Sequence, residues 1–112
     1  MPTYELSLAG RTALVTGAGK KSGIGYAIAR KLAESGCTII VADLGEKGGD
    51  DQQVRTGSTT EMETIVAELK AEFGVQSLAV SVDVSDNASI DNMAAVVRAE
   101  FNSVHVLCNN AG

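Results

Sequence analysis

Strand-like and helix-like segments alternate along the sequence, which predicts an α/β fold on a parallel sheet. Three observations carry the prediction. The apolar run Ala13-Leu14-Val15 leads into a glycine-rich stretch, Gly17 to Gly25, and then into a small-residue helical pattern, Tyr26 to Leu32. The run Cys37-Thr38-Ile39-Ile40-Val41-Ala42 is continuous and β-branched, as suits a strand covered on both faces. Two later segments repeat apolar residues at helical spacing, and each is followed by a short apolar run.

Taken in order, residues 1–11 read as a surface lead-in, and the first strand spans about Thr12 to Thr16. The first helix spans about Gly23 to Ser35, with Ile24, Ala27, Ile28 and Leu32 on one face, and Gly36 stands where a helix-ending glycine belongs. The second strand opens at Cys37 and ends at Asp43. Residues 44–58 are polar and glycine-rich, a long loop that predicts mobility, or ordering by a cofactor or partner. Thr60 and Glu63 have capping-box spacing, so the second helix is expected to start near Thr60. Met62, Ile65, Val66, Leu69 and Phe73 form its core stripe, and Gly74 closes it. The third strand covers about Ser77 to Val82 and leads into Asp83-Val84. Ser85 or Asp86 caps a third helix bearing Ile90, Met93, Ala94, Val97 and Phe101. The fourth strand is about Val104 to Cys108, ahead of Asn109-Asn110-Ala111-Gly112.

The totals set limits on function. A length of 112 residues suits one small domain. The net charge of −5 and the lack of a basic cluster argue against a nucleic-acid partner. No apolar run approaches membrane-spanning length, and the first residues do not read as a secretory signal. Cys37 and Cys108 have no metal-ligand spacing, so no metal site is expected. The expectation is a cytoplasmic protein with two free, buried thiols.

The chemistry-bearing stretch is the glycine loop. Glycines let the backbone turn sharply and approach a pyrophosphate, and the N–H groups and dipole at the helix start then face the anion. The alternative is an ordinary connecting turn. Asp43 lies eighteen residues beyond Gly25, at the tip of the second strand, placed to accept hydrogen bonds from a ribose hydroxyl. Its alternative is a solvated strand-end aspartate. Right-handed crossovers give the strand order 3-2-1-4. That order brings the loop, Asp43, Asp83-Val84 and Asn109 to Gly112 to one sheet edge, where a ligand belongs. It also separates the two thiols, so no bridge is expected.

Together these residues resemble the short-chain dehydrogenase/reductase family. The matching pieces are Leu8 to Val15, Thr16-Gly17 with Gly23-Ile24-Gly25, Asp43, Asp83-Val84, and Asn109-Asn110-Ala111-Gly112. The resemblance implies part of a doubly wound, Rossmann-type parallel sheet. It implies that Gly17, Gly23, Ile24 and Gly25 hold the cofactor pyrophosphate and that Asp43 selects NAD by binding both ribose hydroxyls. Asp83 and Val84 then touch the adenine. Asn110, Ala111 and Gly112 line the ribose and nicotinamide side, and Asn109 ties the central strands together. The family usually has three residues between its first two motif glycines, and here there are five. That length resembles the family's enoyl reductase branch, from which Gly-Ile-Gly departs. Lys20 or Lys21 offers a route to a 2′-phosphate and hence to NADP, against which stands the reading of both as solvated loop residues.

The family's catalytic serine and Tyr-x-x-x-Lys pair follow the Asn-Asn-Ala-Gly segment. Four residues after Tyr4 is Leu8 and four after Tyr26 is Arg30, so no residue is assigned to catalysis. His105 reads as structural. The expectation is a dinucleotide-binding half-domain over 1–112, truncated before the catalytic segment, belonging to an NAD-dependent oxidoreductase that interconverts an alcohol and a ketone. A non-catalytic nucleotide-binding module and an inactive fragment are the alternatives. The apolar fourth strand would be an exposed edge, which calls for a homo-oligomer or for pairing with the missing half.

Overall fold

The structure, a computed structural model, describes residues 8–44, 59–101 and 103–109. Its elements are β1 (Thr12–Thr16), α1 (Ile24–Glu34), β2 (Thr38–Asp43), α2 (Thr59–Phe73), β3 (Ser77–Ser81), α3 (Asn87–Glu100) and β4 (Val106–Asn109). All strand pairs are parallel and the sheet order is β3-β2-β1-β4, as the sequence predicts. Thr16 stands in register with both Ala42 and Asn109, which aligns the carboxyl ends of three strands.

Alternation along β1 and β2 splits the core into two layers. Ala13, Val15, Ile39 and Val41 face α1 and α2, where they meet Ala29, Ala33, Met62, Ile65 and Leu69. Leu14, Ile40 and Ala42 face the other way, toward Val80, Met93 and Val97. Both faces are apolar because both are covered, which explains the unbroken hydrophobic run of β2. Each fully buried Ile or Leu contributes about 1.5–3 kcal/mol. On β4, Val106 and Cys108 pack against the first layer, whereas Leu107 is 65% exposed on the α3 side.

Several details differ from the sequence expectations. On α1 the buried residues are Gly25, Ala29 and Ala33 rather than Ile24 and Ala27. Ile28 and Leu32 sit half-buried at the border of that face, and Ile24 and Ala27 are exposed. The cause is close packing. Small side chains on the i, i+4, i+8 row let the helix lie near the sheet, and larger residues are turned to its sides. Thr60 lies inside α2, so it does not cap the helix; its carbonyl accepts a bond from the Thr64 hydroxyl. Asp86 caps α3, its carboxylate accepting from the Ala88 N–H at 3.0 Å. Cys37 precedes β2, β3 stops at Ser81, and β4 begins two residues later than expected and includes Asn109. Leu8 is not merely a surface lead-in, since it packs against the first core layer and its N–H donates to the Ser35 carbonyl. The loop expected over 44–58 lies, apart from Leu44, outside the described residues.

Candidate functional site

β1 delivers the chain to Gly17, whose φ of +70° is the left-handed conformation that L side chains disfavour. The turn brings the start of α1 back over it. A Cβ added at Gly25 would lie 2.5 Å from the Gly17 carbonyl oxygen, so this approach requires glycine. Gly23 is the N-cap of α1, its N–H bonded to the Lys20 carbonyl at 2.9 Å. No side chain caps this helix and no acidic residue occupies its first turn. The N–H groups there keep their donor capacity, and no carboxylate in that turn repels an anion. Ile24, at the first helical position, is 73% exposed beside them.

The outer half of the loop is held from two sides. The Ala18 N–H donates to the Ala42 carbonyl at 3.2 Å, and the Gly19 N–H donates to Asp43 Oδ2 at 2.9 Å. A Cβ at Gly19 would stand 2.7 Å from both Asp43 Cβ and Met62 Cγ, so a third glycine of the loop is fixed by close approach. Asp43 Oδ1 accepts from the Leu44 N–H at 2.8 Å. Each carboxylate oxygen thus takes a backbone donor and retains a further lone pair.

Of the remaining expected residues, Asp83, Val84 and Asn109 fall on the same sheet edge. Asp83 follows β3, with its N–H donating to Ser89 Oγ at 2.9 Å and its Oδ1 accepting from the Ser85 hydroxyl at 2.6 Å. Val84 is 42% exposed beside it. Asn109 ends β4 in register with Thr16. Asn110, Ala111 and Gly112, expected at the nicotinamide side, lie outside the described residues.

Sequence reasoning missed five contacts here. Lys21 is an exposed loop residue, as expected, but it has partners: its N–H donates to Glu61 Oε2 at 2.9 Å and its ammonium pairs with Glu68. Glu68 also accepts from the Tyr26 hydroxyl at 3.2 Å. His105 has partners: its Nδ1 accepts from the Thr12 N–H at 3.0 Å, and its Nε2 lies 3.3 Å from Ser103 Oγ. That is a structural role, as expected. Both cysteines are free, and burial pushes the Cys37 thiol up from its ordinary value. Among the described residues there is no cluster of three metal-ligating side chains, and no helix is long and apolar enough to cross a membrane.

Comparison with known proteins bears on the same residues. The family model described as short chain dehydrogenase matches residues 11–112. A 3-oxoacyl-[acyl-carrier-protein] reductase of Staphylococcus epidermidis is 38% identical over 102 residues, covering 91% of this chain and 36% of that protein. A cis-4-hydroxycyclohexanecarboxylate dehydrogenase of Sinomonas cyclohexanicum is 39% identical over 106 residues, covering 95% of this chain and 36% of that protein. Among solved structures, L-sorbose reductase of Gluconobacter frateurii, complexed with NADPH and L-sorbose, superposes with a TM-score of 0.75 at 32% identity. That match covers 93% of this chain and 34% of the reductase. The chain therefore spans little more than a third of the length of the relatives it matches.

Proposed function

The chain belongs to the short chain dehydrogenase family, and on that premise we propose that residues 1–112 form the dinucleotide-binding half-domain of an NAD-dependent oxidoreductase that interconverts an alcohol and a ketone. One observation carries the reading. The uncapped, acid-free start of α1 is pressed against Gly17, and the same loop is tied through Gly19 to the carboxylate at the tip of β2. The cradle at Gly25 is one that a Cβ would fill, and its donors suit a pyrophosphate.

A nicotinamide dinucleotide bound here would supply the hydride donor or acceptor. The residues do the rest of the binding. Gly17 and Gly23 shape the turn, the N–H groups at Ile24 and Gly25 face the pyrophosphate, and the exposed Ile24 side chain covers it. Asp43 accepts from the ribose hydroxyls with its remaining lone pairs, and its charge repels a 2′-phosphate. Asp83 and Val84 border the adenine, and Asn110, Ala111 and Gly112 are assigned to the ribose and nicotinamide side. The preference for NAD rests on Asp43. The tie of Lys21 to α2 supports it, because this lysine is already paired with Glu68.

A second reading is nucleotide binding without turnover, since the backbone donors of the glycine loop and the Asp43 carboxylate bind a nucleotide whether or not hydride transfer follows. Fluorescence titration of the purified protein with NADH and NADPH tests binding, and a ketone panel with NADH tests turnover. The expected result is saturable NADH binding, about tenfold tighter than NADPH binding. Tighter NADPH binding overturns the NAD assignment, and a folded protein that binds neither overturns the reading. Oxidation of NADH on any ketone would overturn the second reading.

A further inference from the structure

The loop between Gly17 and Gly23 is longer than the ordinary phosphate turn, and length alone would loosen it. In the structure its outer part is fastened to α2. The Lys21 N–H donates to Glu61 Oε2 at 2.9 Å, the Lys21 ammonium pairs with Glu68, and the Tyr26 hydroxyl donates to the other oxygen of Glu68. Glu61 and Glu68 are seven residues apart on α2, so they lie on one helix face. Met62, beside Glu61, packs where a Cβ at Gly19 would fall. Two elements that need not touch for the sheet to form are thereby joined at the loop that the Proposed function assigns to pyrophosphate.

We propose that Glu61 and Glu68 are positioning residues for the dinucleotide, holding the long glycine loop through Lys21 so that the N–H groups at the start of α1 keep one orientation. The inference rests on the dinucleotide reading above. Asp43 takes the Gly19 N–H and Glu61 takes the Lys21 N–H. The two carboxylates therefore occupy the amides of Gly19 and Lys21 and leave those of the α1 start to an incoming anion. Their negative charge lies at Gly19 and Lys21, outside the first turn of α1, which has no acidic residue. The hydrogen bond from Lys21 holds the Glu68 carboxyl below its ordinary range, and the same bond raises the lysine.

If the loop released from α2 is competent about one-tenth of the time, apparent affinity falls about tenfold. The test measures NADH, ADP and adenosine binding to the purified protein and to K21M, E61A, E68Q and the swapped pair K21E/E68K. These side chains are partly exposed, 42% for Lys21 and 37% for Glu68, so the variants are expected to fold, and thermal melts check this. NADH and ADP, which carry a pyrophosphate, should bind about three- to tenfold more weakly to each single variant. Adenosine should bind unchanged, and the swapped pair should recover most of the NADH affinity. A general loss of structure would weaken all three ligands and would overturn the positioning role. Unchanged NADH binding in folded single variants also overturns it, while leaving the dinucleotide reading intact. Failure of the unmodified protein to bind NADH or ADP overturns both.

Discussion

Asp43 meets two demands with one carboxylate. It accepts the Gly19 N–H, which closes the loop onto β2, and it has lone pairs left for a ribose. The two roles separate in Asp43→Asn. The amide oxygen still accepts from Gly19, but the charge that opposes a 2′-phosphate is gone. NADPH affinity should rise about tenfold or more relative to NADH, because a like-charge juxtaposition costs several kcal/mol. Parallel titrations with the two cofactors read this out, and an unchanged ratio would remove Asp43 from cofactor choice. Gly25→Ala makes a steric argument at the same scale. Its methyl would meet backbone at 2.5 Å, and backbone cannot swing aside as a side chain can. A loss of about 1–3 kcal/mol in urea unfolding is expected, together with loss of dinucleotide binding. The glycines and Asp43 were legible in the sequence because their roles follow from backbone conformation and strand-end position. The partners of Lys21 and His105 were not. Thr12 and His105 are 93 positions apart, and Lys21 and Glu68 are 47 apart, so no local pattern pairs them.

At the scale of elements, α2 is tied twice, to the glycine loop by Lys21 with Glu68 and to α1 by Arg30 with Glu72. The second pair is bidentate, both bonds at 2.7 Å, with the guanidinium over the Phe73 ring at 5.1 Å. The hydrogen bonds from Arg30 hold the Glu72 carboxyl below its ordinary value of 4.5, and Lys21 does the same to Glu68. The sign of the pH dependence follows. A lowered folded-state value stabilises above the unfolded value and loses that stabilisation as pH falls through the lowered one. Wild type and Glu72→Gln should therefore differ in thermal midpoint at neutral pH and converge as the pH is taken down through the lowered Glu72 value. The difference is small, because exposed pairs contribute little. A gap that persists in acid would contradict the pairing. Helix existence and order were readable from apolar spacing, and the stripe of α2 was read correctly. The buried face of α1 was not. Apolar spacing favours Ile24, whereas close approach to the sheet favours Gly25, Ala29 and Ala33.

Over the whole molecule, four parallel strands bring sequence-distant segments to one edge: the loop after β1, Asp43 after β2, Asp83 and Val84 after β3, and Asn109 at the end of β4. The strand order was legible because right-handed crossovers leave few alternatives once a glycine loop follows the first strand. The claim that joins every scale is that a dinucleotide lies along this edge with its pyrophosphate at the start of α1. Titrating isotope-labelled protein with NADH while following its amide signals tests that claim directly. The account predicts that saturating shifts concentrate at Gly17 to Gly25, at Leu44 beside Asp43 and at Val84, while Leu69 and Val97 in the two core layers stay still. Saturable shifts elsewhere, with the amides of Ile24 and Gly25 unmoved, would contradict it.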